Sequence, residues 1–495
     1  MSFYLGLDLG TSEMKALLLA NDHRIVAVAH APLTVSRPAP LWSEQSPSQW
    51  WDAAIAVTGE LQRKHGTALA AVRAIGLSGQ MHGAVALDAR GNVLRPAILW
   101  NDGRSTAQCA ALAASVPRLA EIAGNLAMPG FTAPKLLWMR EHEPDLFARI
   151  ACVLLPKDWL RFMLSGELAS DMSDASGTLW LDVAARDWSD ELLAAGGLSR
   201  AQMPRLVEGS AIAGRLKPEL ARRWGMAAGV PIAGGAGDNA ASAVGMGLVN
   251  AGEGFVSLGT SGVIFVCGER FEPRPALAVH AFCHALAGRW HQMSVMLSAS
   301  SALSWAARSF GLGNEAALLA AAATLDAGAR SRAPLFLPYL SGERSPHNDA
   351  TAQGVLFGIT HAHGPADIAY AVVEGVSHGL RDGLDTLARP AGELVLVGGG
   401  ARSVWWAQLL ADILETPLAL CEGGEAGGAL GAARLAWLAD GGSEAQVCRR
   451  PLVRQRFEPR RDALHASGAR HARFRALYAS LRQAFAAPQP TPGSV

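Results

Sequence analysis

From Tyr4 to Ala20 hydrophobic residues fill most positions, "YLGLDLGTSEMKALLLA", and the opening run is broken by the carboxylate of Asp8, with a glycine and two hydroxyls close behind at Gly10, Thr11 and Ser12. Short apolar runs bounded by turn residues read as buried strands. Tyr4 to Leu9, Lys15 to Ala20 and Ile25 to Ala31 are therefore predicted as three strands, joined through "GTSE" and "NDH" into a meander. In "SPSQWWDAAIAVTGELQRK" the apolar period changes to that of a helix. Ser46 stands at the cap, Pro47 in the first turn, and Trp51, Ala54, Val57 and Leu61 along one face. The tryptophans read as core packing. Strands alternating with helices are expected again from Ala71 to Asn101, which indicates α/β layers.

The pattern then starts a second time. Gly254 to Val266, "GFVSLGTSGVIFV", repeats the strand, the Leu-Gly-Thr-Ser turn and the following strand, with Ser257 standing where Asp8 stood. A repeat at about half the chain signals duplicated domains. Only the first copy keeps the acid, as expected when two related domains face one ligand from opposite sides. The small-residue run "GMGLVNAG" places the boundary, giving domains at 1–247 and 248–485. The Pro-rich end, 486–495, is expected to be a disordered tail.

Composition narrows the function. The 495 residues are half apolar and exceed what one core usually organises. Lys+Arg and Asp+Glu balance at 43 each, which removes the electrostatic case for nucleic acid or a membrane surface as partner and favours a small substrate. The cysteines are scattered without a CxxC pair, so neither a disulfide framework nor a zinc site is indicated. With no basic leader and no apolar stretch of ~18 residues, a cytoplasmic location is expected.

A strand that ends in Gly-Thr-Ser and doubles back aims backbone N–H groups and hydroxyls at one point, a concavity suited to phosphate oxygens. One such turn alone is an ordinary β-turn; one per domain could clasp a triphosphate. Lys15 could reach the same phosphates, and Asp8, at a strand end, could order a hydrated Mg²⁺. A third glycine element, Gly398 to Gly400 in "ELVLVGGGARSVWWAQLLADIL", follows the strand Glu393 to Val397 and precedes a helix capped by Ser403. Such a loop lets adenosine or phosphate approach the backbone.

For chemistry the candidate is Asp238 in "GVPIAGGAGDNAASAVG". Its position suits a helix cap, yet the small residues around it let a hydroxyl approach, and an aspartate in reach can deprotonate an alcohol attacking a γ-phosphorus. The same stretch partly matches GxGxxG, but the strand, helix and ribose acid of a dinucleotide site are not evident. In "HAFCHALAGRWH", His280, Cys283 and His284 have a spacing that could ligate a metal on one helical face, but nothing completes the set.

On these residues the sequence resembles the FGGY family of carbohydrate kinases, of the actin-like ATPase superfamily, and within it the xylulokinase branch. Both family signatures are present, in "GFTAPKLLWMREH" (130–142) and "GVLFGITHAHGPADIAYAVVE" (354–374). The likeness extends through "SRPAPLWSEQ", "SGQMHGA", "RPAILWNDGR", "SDMSDASGTLWLDVA", "GDNAA" and "FLPYLSGER".

The resemblance implies two α/β domains of actin-like (ribonuclease H-like) fold, each with a mixed-sheet core, and an active-site cleft between them. It implies Asp238 as catalytic base and Asp8 as ligand of Mg-ATP through water. Gly10, Thr11, Ser12, Lys15, Gly259 and Thr260 would form the phosphate cradle, with Gly399, Gly400 and Ala401 on the adenine side. The sugar side would be Gln80, Met81, His82 and Gly83 with Asp238 and Asn239. Met81 and His82 replace the Arg-Glu pair of glycerol kinases, which favours a larger polyol or ketose. The implied reaction is transfer from ATP to O5 of D-xylulose, in a possible homodimer. The competing readings are a kinase for ribulose, fuculose or gluconate, and an actin-like ATPase that phosphorylates no sugar.

Overall fold

The computed structural model describes residues 1–387 and 392–486; the expected tail, 486–495, lies outside the described residues except for Ala486. The opening meander forms as expected, with strands Phe3–Leu9, Glu13–Ala20 and Ile25–Pro32. Leu5, Leu7, Leu9 and the face Leu17 to Ala20 are fully buried, so nearly unbroken hydrophobicity reflects a sheet covered on both faces. Val72–Gly79 adds in parallel to the opening strand, and Pro231–Ala233 and Ile212–Arg215 complete the sheet.

Gly254–Leu258 repeats this plan. It pairs antiparallel with Gly262–Gly268 and parallel with Leu394–Val397, just as Phe3–Leu9 pairs with Glu13–Ala20 and Val72–Gly79. Outward from that centre lie Trp290–Met296 and His280–Cys283 on one side, Leu418–Cys421 and Val453–Phe457 on the other. In the ladders Asp8 lies between Lys15 and Ser78, and Ser257 between Val263 and Val397, so the substitution read from sequence sits at one equivalent position.

Each sheet is followed by a helix at the same place in the plan: Asp238–Gly245 in the first half, Gly427–Ala439 in the second. These two helices cross at glycines. A side chain at Gly431 would stand 1.8 Å from the Ala241 carbonyl oxygen, and one at Gly76 would stand 1.8 Å from that of Ala432. The second helix is thus pressed both against its counterpart and onto the first sheet, which close-packed backbones allow only without Cβ atoms.

Several local expectations differ from the structure. The long helix runs Pro47–Ala70, but Trp50 fills the core with Ala54, Val57 and Leu61, whereas Trp51 is half-buried. Ser46 makes no cap bond; its hydroxyl pairs with Ser48 at 2.9 Å. Between Val72 and Asn101 only strands and turns occur, and the next helix begins at Thr106. His280–Cys283 is a strand, which places His280 and Cys283 on opposite faces rather than along a helix. Among the described residues, no histidine or cysteine joins a group of three close enough to share a metal ion. No helix there is long and apolar enough to cross a membrane.

Candidate active site

Asp238 is the first residue of its helix, with Gly237 in the cap position. It does not cap. Its carboxylate instead accepts from the backbone N–H and side-chain amide of Asn239, at 2.7 and 2.9 Å. Burial, then the nearby charge of Asp8, push its carboxyl up to about 6. The Asp8 carboxyl is raised too, chiefly by burial, with the Ser78 hydroxyl and the Lys15 ammonium acting the other way. Asp8 lies against the first turn of helix Gly427–Ala439, where a Cβ at Gly428 would stand 2.7 Å from its Oδ2. Two coupled acids with raised affinities mark a place that would gain from a cation.

Asp238 and Asn239 open onto a cavity of about 150 Å³. Met81, His82, Trp100 and Phe131 line it from the first half, and Val263, His280, Phe282 and Arg344 from the second. His82 has φ +67°, a left-handed conformation uncommon outside glycine and often kept at binding sites. Its Nδ1 lies 2.7 Å from the Gly177 carbonyl, which can only accept, so that nitrogen carries the proton. Burial pulls its pKa down to about 3, so the ring is neutral and Nε2 keeps a free lone pair. His280 is held likewise: the Asn125 amide gives both hydrogens to Ala123 and Ala281 carbonyls, leaving its oxygen, 2.8 Å away, to take the His280 Nδ1 proton. Arg344 Nη1 stands 3.4 Å from His280 Nε2. Neutral acceptors, a guanidinium donor and aromatic walls suit an uncharged polyhydroxyl ligand.

The remaining residues expected on the sugar side have other surroundings. Gln80 does not line the cavity. It is buried in a network that braces the first glycine turn, accepting from the Thr11 hydroxyl at 3.1 Å and donating to Gln45 at 2.9 Å. Gly83 yields its side-chain space to the Pro156 ring, which a Cβ would meet at 2.5 Å. Met81 both lines the cavity and presses on Gly237.

A second, larger cleft of about 560 Å³ is lined by Lys15, Val28 and His30 from the first sheet. From the second half come Leu396 to Gly398, Ala401, Arg402, Arg454 and the loop Gly423 to Ala426. Lys15, Arg402 and Arg454 against one acid, Glu425, suit a polyanion. Lys15 and Ala401 both line this cleft, and Ser403 caps the following helix through the Trp406 N–H. Gly399 faces open space, whereas Gly400 packs on Leu258 and Trp406. Gly10 closes the first turn by donating to the Glu13 carbonyl at 3.0 Å, and Gly259 closes the second by donating to Ser261 at 3.1 Å. Ser12 and Thr260 are exposed at the two tips. Sequence reading missed the loop 423–426, although "GGEAGG" before a helix is a visible signal, and missed His280 and Arg344 as cavity walls.

The chain matches the FGGY family of carbohydrate kinases, N-terminal domain, over residues 3–245, and its C-terminal domain over 254–439. It is 54% identical over 485 residues to a xylulose kinase of Escherichia coli, covering 97% of this chain and 99% of that protein. It is 36% identical to a xylulose kinase of Bacillus subtilis, covering 92% of each. A crystal structure of a xyloylose kinase from Brucella ovis superposes with a TM-score of 0.94 at 50% identity, over 97% of this chain and 99% of that one. With both of its domains matched in order and full-length relatives at that identity, the chain belongs to the FGGY family of carbohydrate kinases.

Proposed function

We propose that this carbohydrate kinase is a xylulose kinase, transferring the γ-phosphoryl group of ATP to O5 of D-xylulose with Asp238 as general base. The observation that carries the reading is Asp238 itself: a carboxylate held at about 6, opening onto a small cavity whose histidines are neutral acceptors. At about pH 7.5 such a group is almost wholly ionised yet more basic than an ordinary aspartate, the compromise general-base catalysis requires. The curated relatives at 54% and 36% identity that bear the name xylulose kinase support the choice of sugar.

The residues fit the groups this reaction needs. The 560 Å³ cleft is of nucleotide size and carries Lys15, Arg402 and Arg454 for phosphate charge. Asp8, half-buried and next to Asp238 in charge, would hold Mg²⁺ through water, which when bound neutralises phosphate oxygens. The turns at Gly10 to Ser12 and Gly259 to Thr260 would cradle the phosphates, and Gly399 to Ala401 the adenosine. In the sugar cavity Met81, His82 and Asn239 would orient the ketose so that its terminal hydroxyl meets Asp238, which takes the proton as the oxygen attacks in line. Gln80 would act indirectly, by fixing the Thr11 turn. The domain division proposed is 1–247 for sugar and base and 248–485 for nucleotide.

The test is ADP release measured across D-xylulose, D-ribulose, L-fuculose, D-gluconate and glycerol at equal concentration. D-xylulose should give the largest kcat/KM, with xylulose 5-phosphate as product. A larger value for another acceptor, or ADP release indifferent to every sugar, would refute the assignment.

A further inference from the structure

Behind the Asp238 loop lies a wholly buried ionic cluster that the proposed chemistry does not use. Lys157 Nζ stands 2.6 Å from Asp158, 2.5 Å from Asp171 and 3.1 Å from Asp174, and Arg161 Nη2 stands 2.8 Å from Asp158. All of these side chains are fully buried. The three carboxylates converge closely enough for a metal site. The ammonium already fills their centre, so the cluster is an internal ion network rather than a cation site. Its Asp174 carboxyl is pushed well above the usual range, first by burial, whereas the Asp158 carboxyl is lowered against its burial by the charges of Lys157 and Arg161. Replacing such a network by apolar residues often costs nothing, so its presence asks for a role beyond stability.

The role is legible in where its outer bonds go. Arg161 Nη2 donates to the Gly234 carbonyl at 2.7 Å, at the start of the glycine loop that delivers Asp238. Asp171 accepts from the Ser173 hydroxyl at 2.5 Å and caps the short helix Met172–Ala175 through the Ser173 N–H. The Ser173 oxygen in turn accepts the Gly237 N–H at 3.1 Å, immediately before Asp238. Both ends of the loop are thus tied to one rigid anchor. The same segment continues through Ser176–Thr178, where the Gly177 carbonyl fixes the His82 ring, and the Ser176 hydroxyl accepts the Cys283 N–H at 3.1 Å from the strand that carries His280.

We infer that Ser173, held by the Lys157–Asp171 ion network, is a positioning residue for phosphoryl transfer, setting the Asp238 carboxylate and the His82 ring in register with each other. Lys157 lies too deep to touch a ligand and acts only through this chain of bonds. A neutral hydroxyl is enough at the last link because a backbone N–H needs only an acceptor, while the ions behind it remove the freedom to drift. The inference rests on the reading of Asp238 as base.

The experiment compares the parent, Ser173→Ala and Asp238→Asn in the full-length enzyme, with D-xylulose and ATP. Ser173→Ala deletes one oxygen and frees the Gly237 N–H. A displacement of the base by about 1 Å can cost on the order of a hundredfold in rate, so kcat should fall at least about tenfold. KM for both substrates should stay within about threefold, a split that general destabilisation would not produce. As a measurement that needs no variant, amide exchange of the 234–238 peptide in the parent should be among the slowest in the first domain. A Ser173→Ala enzyme with kcat within twofold of the parent, a loss confined to KM, or rapid exchange at 234–238 overturns the inference. If Asp238→Asn itself retains turnover, the base assignment fails; if it is inactive while Ser173→Ala matches the parent, only the positioning role does.

Discussion

Replacing Asp238 by asparagine should abolish phosphate transfer and yet stabilise the protein at neutral pH. The Asp238 carboxyl is held at about 6 against the 3.8 of an ordinary aspartate, by burial and then by the Asp8 charge. Between those values the folded chain holds a proton that the unfolded chain has released. Stability therefore falls as pH rises through this window and stays lower above it. The full difference is about 3 kcal/mol at roughly 1.36 kcal/mol per tenfold change in proton affinity. Asparagine carries no charge to desolvate, and its amide oxygen can still accept the Asn239 N–H. The variant should gain up to about 3 kcal/mol at pH 7.5 and only about 1 kcal/mol at pH 4.5, because there the parent is largely protonated. For a domain of about this size that is a Tm rise of roughly 6 °C or more at the higher pH. The measurement is thermal melting by circular dichroism at both pH values in EDTA without nucleotide, so that no cation offsets the paired acids. An Asp238→Asn protein that melts below the parent at pH 7.5, or gains equally at both pH values, would refute the electrostatic account of the site.

Two further outcomes follow from the same geometry. With saturating Mg-ATP, kcat/KM for D-xylulose should fall about tenfold per pH step on the acid side, following protonation of the Asp238 carboxyl, with a midpoint at or somewhat below about 6 because bound Mg²⁺ offsets the Asp8 charge while burial still raises the carboxyl; a profile flat down to about pH 4.5 would contradict its proposed role as base. Gly76→Ala would bring a methyl within 1.8 Å of the Ala432 carbonyl oxygen, and neither backbone can yield cheaply. Overpacking of this kind costs about 1–3 kcal/mol or more and displaces helix Gly427–Ala439 from the sheet. Tm and turnover should fall together, and an unchanged Tm would mean the helix is not seated as described.

What could be read from the sequence depended on how local its cause was. The duplicated strand–turn–strand was readable because a buried strand writes its own hydrophobicity, and Ser257 in place of Asp8 marked the asymmetry of the halves at one residue. The choice between Trp50 and Trp51 was not readable, since adjacent helical residues differ by about 100° and only the neighbouring sheet decides which is covered. His280 and Cys283 show the same limit: a spacing that suits one helical face means opposite faces once the segment pairs with Trp290–Met296 as a strand. Gln80 sits next to two cavity residues and yet turns inward, because Thr11 and Gln45, far from it in sequence, offer it partners. The cavity itself is the strongest case. Asp238 and His82 come from the first half, His280 and Arg344 from the second, and the bonds that aim them run through Gly177, Ser173 and Asn125. A motif can name a candidate acid; the geometry that would let it serve as a base is spread over residues whose spacing in the chain carries no period, and only the folded contacts bring it together.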